Sequence, residues 1–154
     1  MNGYTRLGVM MATSTILMFG SMYLNTYQLD HLFFSETRAY MALVMSATMG
    51  VMMLAFMPAM YPNRRANAAI LGACLALFAV ALWLVRSQAT VDDVSWMKAM
   101  IPHHSIAILT SERAHIRDPR VRTLADGIIK TQRREIDEMK ALLRDLEVRP
   151  KGGS

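Results

Sequence analysis

The sequence predicts an all-α protein in which three transmembrane helices are followed by an extracytoplasmic antiparallel helical hairpin. Three observations carry this reading. Of the 29 charged residues, six (Arg6, Asp30, Glu36, Arg38, Arg64, Arg65) lie in positions 1–85 and 23 lie beyond. The uncharged stretches of the first part each approach the roughly 20 residues that a helix needs to cross a bilayer. The second part repeats its apolar residues at helical spacing.

Composition narrows the class further. Cys74 is the single cysteine, which excludes a disulfide-framed secreted domain. A hydrophobic content of 53% excludes disorder for most of the chain, and the long uncharged runs exclude an ordinary soluble single-core domain. The net charge of +5 does not point to nucleic acid, because thirteen basic side chains beyond position 85 are interleaved with ten acidic ones. That pattern is a solvated helical surface.

The spans are expected at about 7–27, 39–61 and 66–85, making residues 1–87 a membrane domain. The first resembles a signal peptide in its basic start at Arg6, but no small-x-small cleavage site follows, so it reads as a retained span. Arg64 and Arg65 share a side with Arg6, and the positive-inside bias places that side in the cytoplasm of a bacterial inner membrane. Three crossings then deliver everything after Val85 to the periplasm, an oxidising space with which the thiol-poor composition agrees.

Fifteen of the 154 residues are methionine, far above ordinary usage. Met41, Met45, Met49, Met52, Met53, Met57 and Met60 share an arc of about 160° on the second span, and Met10, Met11, Met18 and Met22 an arc of about 120° on the first. Adaptable helix packing accounts for such stripes. A thioether face that lets a soft cation dwell in the membrane is the sharper alternative, but no ionisable residue marks a pathway inside any span.

Residues 88–149 are expected to form the hairpin, and 150–154 a flexible tail. Thr90 and Asp93 look like an N-cap and acidic third position for a helix over about 91–116, interrupted only by Pro102. Asp118 followed by Pro119 starts a second helix that runs to about Glu147. A hairpin of this length cannot bury both of its apolar stripes alone, which predicts a homodimer or higher homo-oligomer.

The unusual chemistry lies in Trp96-Met97-Lys98-Ala99-Met100-Ile101-Pro102-His103-His104. Met97, Met100 and His104 fall on the buried stripe of the first helix; Gln132, Glu135 and Met139 share a stripe on the second. A turn centred on Arg117–Asp118 makes facing residue numbers sum to about 235 if both helices rise equally. Met100 then faces Glu135, His104 faces Thr131–Gln132, and Met97 faces Glu138–Met139. Alone, each methionine would be a core residue, His104 a hydrogen-bonded core histidine and His103 a surface residue. Together, thioethers and imidazole without cysteine select Cu(I) or its congener Ag(I). Pro102 is expected to kink the helix and turn His103 toward the same centre.

The segment from Met97 to Ser105, with Ala107-Ile108, Asp118-Pro119-Arg120-Val121, Leu124-Ala125, Ile128-Ile129 and Gln132 to Met139, resembles the bacterial family catalogued as domain of unknown function 305. The resemblance covers about residues 91–147. It implies a ferritin-like helical fold and, through some members, extracytoplasmic copper binding linked to copper tolerance. Carried over by position, it implies Met97, Met100, His103, His104 and Met139 as ligands, with Glu135 and Gln132 as auxiliary ligands or supports. Many members carry a further methionine about six residues after the histidine pair, where this chain has Leu109 and Thr110.

The function expected is therefore a membrane-anchored Cu(I)/Ag(I)-binding protein for copper sequestration or transfer, without catalysis. A ferritin-like di-iron oxidase is the alternative, with Glu112 and His115 as one Glu-x-x-His pair per chain. A structural oligomerising membrane module without metal is the third reading.

Overall fold

A computed structural model describes residues 2–148, so the tail expected over 150–154 lies outside the described residues. All regular structure among the described residues is helical: α1 Gly3–Ser21, α2 Glu36–Phe56, α3 Arg64–Ser87, α4 Asp93–Arg113 and α5 Pro119–Val148. Short 3-10 turns occupy Leu29–His31 and Pro58–Met60.

Local chemistry accounts for the boundaries. The Asn2 side chain accepts from the Thr5 amide at 2.8 Å, and Asn63 accepts from the Arg65 and Ala66 amides to start α3. α2 stops at Phe56 because Pro58 disfavours helical backbone at Met57. Met57 and Met60 therefore leave the helical stripe on which the sequence places them. The cap of α4 is Asp92, accepting from the Ser95 amide at 2.8 Å, and not Thr90. Asp118 caps α5 as expected, and Arg120, bonded to it by backbone and side chain, holds its carboxyl below the usual range.

The chain divides into two compact units, and the division is not linear. Of the described residues, the first comprises 2–22 with Glu36–Thr90; the second joins Tyr23–Ser35 to 91–148. In the first unit α2 packs against both α1 and α3. Two helices, α2 and α3, are long and apolar enough to cross a membrane, which corrects the expected three spans. α1 falls short because its nineteen residues include Arg6 and the hydroxyl-rich run Thr13-Ser14-Thr15. Only 11% of the most apolar stretch of α3 is buried in the protein, the reverse of a soluble core helix.

Gly50 sits where three helices meet. A Cβ there would stand 2.7 Å from Cys74 Sγ and 2.8 Å from Met11 Cε. Beside this junction, Met18, Met45, Met49, Met52, Met53 and Met57 line an open groove of about 600 Å³. Met45 and Met52 are 41% and 53% exposed, so packing within the chain does not account for them.

In the second unit α4 and α5 pack face to face. Lys98 pairs with Glu147, His104 with Glu135, and Glu112 with Arg133, so the helices run in opposite senses. Met97, Ile101, Ile108, Ile136, Met139 and Leu143 form the core, with Tyr27 and Phe33 of the 23–35 segment packed against it. That segment is clasped further by polar contacts. Ser105 Oγ donates or accepts at 2.9 Å with His31 Nδ1 and accepts from the Tyr27 amide at 2.8 Å, and Lys140 donates to Asp30 at 2.5 Å. The expected boundary at 87/88 misses this discontinuous piece, whose only sequence signal is a cluster of aromatics in a supposed loop.

Burial is the main cause that lowers the pKa of His31 below the histidine range, aided by Lys140 and opposed by Asp30 and Asp137. His31, Asp137 and Arg133 together line a small cavity. The folded unit thus favours neutral His31. Its contribution is complete above the ordinary histidine range and is lost as pH falls through that range toward the depressed folded value. Amide exchange over 23–35, corrected for intrinsic rates, is expected to accelerate between pH 7.5 and 5.5, and His31→Gln to flatten that response. In the first unit, Gly50→Val is expected to cost about 1–3 kcal/mol by overpacking, read as a lower thermal midpoint of the detergent-solubilised protein.

Candidate metal centre

α4 supplies the imidazole. His104 lies one turn after Met100, so its Nδ1 reaches back to the Met100 carbonyl at 3.0 Å. This contact aims Nε2 across the seam to Glu135 Oε2 of α5, 2.9 Å away. The His104 side chain is 13% exposed and that of Glu135 38%. Gln132 Nε2 stands 3.4 Å from the same carboxylate oxygen and supports it from one turn earlier.

Both ring nitrogens therefore face acceptors. A neutral imidazole has one N–H to give. In the tautomer that donates Nδ1–H to the Met100 carbonyl, Nε2 turns its lone pair toward the Glu135 carboxylate 2.9 Å away, a separation that has to open before a metal ion can enter between them. A histidine whose Nδ1–H is held by a backbone carbonyl is the usual form of an Nε2 metal ligand.

Around this pair lies a cavity of about 340 Å³ lined by Trp96, His104, Glu135, Glu138, Met139 and Leu142. Met139 is 6% exposed and belongs to both the cavity wall and the core, where Met97, 5% exposed, is part of the same cluster. Met100 is partly buried against that core. The structure thus gathers His104, Glu135, Gln132 and Met139 at one level, with Met97 and Met100 in the packing that backs them.

Two expectations change. α4 runs through Pro102 as one helix, and His103 stays exposed, its ring centroid 6.2 Å from that of His104. The proline does not bring His103 among the residues that line the cavity. The register also differs, since Glu135 meets His104 instead of Met100. Ala114 leaves the helix with ψ 136°, and extended backbone climbs about 3.3 Å per residue against 1.5 Å in a helix. α5 consequently starts further along the pair and needs about one extra turn to come level with His104.

Trp96, Glu138 and Leu142 were not assigned to the site from sequence. Glu138 and Leu142 lie one turn from Glu135 and Met139, and that spacing is the signal that could have included them. Among the described residues no three His, Cys, Asp or Glu side chains cluster to hold a metal ion, so any site here depends on thioethers. Glu112 is engaged by Arg133, and His115 lies beyond the end of α4, which removes the shared helical face of a Glu-x-x-His pair.

Residues 93–154 match the family model described as domain of unknown function (DUF305). The match covers every residue of the centre. "Uncharacterized protein L153" of Acanthamoeba polyphaga mimivirus is 35% identical over 79 residues, half of this chain, and the chain spans about half of that relative's length. No solved structure matches the chain.

The hydrogen bonding of His104 can be read directly. In nitrogen-resolved NMR of labelled histidines, Ag(I) is expected to move the Nε2 resonance of His104 while Nδ1 remains protonated. A change at Nδ1 instead would contradict the arrangement described.

Proposed function

We propose that this protein is a membrane-anchored, extracytoplasmic Cu(I)/Ag(I)-binding protein that sequesters copper or passes it on. The observation that supports it most is His104, with Nδ1 tied to a backbone carbonyl and Nε2 aimed at Glu135 beside the Met139 thioether. Thioether and imidazole donors favour a soft monovalent ion, while the carboxylate offsets its charge. Met97 and Met100 have the flexible side chains needed to swing a sulfur toward the cavity. Copper is cargo in this reading, and the chain's own groups hold it without a redox step.

The membrane part follows from α2 and α3. If both cross, the chain returns to the side from which it entered. The 23–35 segment and the chain beyond Val91 must share a side, because they pack in one unit. Two crossings satisfy that requirement. The positive-inside bias puts Arg64 and Arg65, between the two crossings, in the cytoplasm and the metal centre outside the inner membrane.

Anaerobic Cu(I) titration of the full chain against a competing chelator tests the reading. Tight binding is expected in the parent protein, about tenfold weaker binding in Gln132→Leu, which loses only a supporting hydrogen bond, and none of that affinity in the combined Met97→Leu, Met100→Leu, His104→Ala variant. Undiminished affinity in the triple variant would overturn it.

A further inference from the structure

α5 carries more apolar surface than α4 covers. Ile136 and Leu143 belong to the core shared with α4, and Ala125 is buried on the same side of α5. A second stripe, turned about 80° from them, holds Leu124, Ile128, Leu142 and Leu146 within an arc of about 40°. All four are open to solvent, from 36% for Ile128 and Leu146 to 63% for Leu124. Glu135 falls on the same stripe, at its middle.

The stripe is a palindrome about that residue. Leu124 and Leu146 stand eleven residues to either side of Glu135, and Ile128 and Leu142 seven. Two copies of α5 laid antiparallel about a dyad at Glu135 would set Leu124 on Leu146 of the partner and Ile128 on Leu142 of the partner. Each leucine and isoleucine of the stripe then meets an apolar residue, and Glu135 meets itself. A patch that is complementary to its own inverted copy is what a closed two-fold interface requires.

The metal centre opens on this stripe. Leu142 and the half-exposed Trp96 line its cavity together with His104, Glu135 and Met139. One chain brings one imidazole, one carboxylate and one thioether to the opening. Two carboxylates brought to the same level repel one another unless cations lie between them.

We propose that a second copy of this chain packs along the Leu124–Ile128–Leu142–Leu146 stripe with Glu135 on the dyad. The two His104–Glu135–Met139 cavities then join into one centre shared between the chains. The sharing of metal rests on the function proposed above; the packing itself does not.

The two parts are tested separately on the full chain in detergent. With Cys74→Ala as background, Glu135→Cys is treated, without metal, with a short bis-maleimide whose reach matches the roughly 8–10 Å between packed helix axes. Asp126→Cys, on the opposite side of α5, is the control. A covalent dimer from Glu135→Cys and little from Asp126→Cys is expected. Equal cross-linking of both, or none from Glu135→Cys, overturns the packing, as does a parent protein that sediments as a monomer at the same concentration. Ag(I) added to the parent protein is expected to lower the dimer dissociation concentration at least about tenfold. With cross-linking as expected but no response to Ag(I), the dimer stands and the shared metal centre falls.

Discussion

Ile101, Ile108, Ile136 and Leu143 are almost sealed from solvent between α4 and α5, and this burial fixes the register on which the candidate centre depends. Full burial of side chains of this size stabilises by about 1.5–3 kcal/mol each. The ion pairs along the seam are partly exposed, and such pairs contribute about 1 kcal/mol or less. Apolar packing therefore sets how the helices lie, and the polar contacts follow. A slip of one turn would leave the seam partly open and carry Glu135 away from His104.

The same constraint explains why the centre is at a boundary. Met139 faces the core from one side and the cavity from the other, while Glu135 has turned onto the uncovered face. The Met139 thioether is thus held by the core on one side while it borders the cavity on the other. The imidazole is restrained by a contact one turn back along its own helix. Its orientation thus depends on the backbone of α4, and its partner depends on the packing of α5.

The 23–35 segment places a second demand on this unit. It brings Tyr27 and Phe33 to the core and a buried histidine to Ser105, the residue after His104. The connection between α1 and α2 is therefore part of the unit that carries the centre. The methionine groove of the first unit is a different matter: Met45, Met52 and Met57 are exposed along it, while Met18, Met49 and Met53 are half-buried.

Much was legible before any coordinates. Helical class, the apolar runs of α2 and α3 and the Asp118–Pro119 start all follow from short-range rules: periodicity, capping and the length of uncharged runs. Those rules act within a few residues. The pairing of Glu135 with His104 does not, because it depends on the extended backbone at Ala114 and on how four aliphatic side chains interlock across the seam. The place of residues 23–35 was equally hidden, since the contacts of His31 and Asp30 are with residues 74 and 110 positions away. His103 was misjudged for a related reason: α4 runs through Pro102 as one helix, and only the packed helix decides which of two neighbouring imidazoles faces its partner.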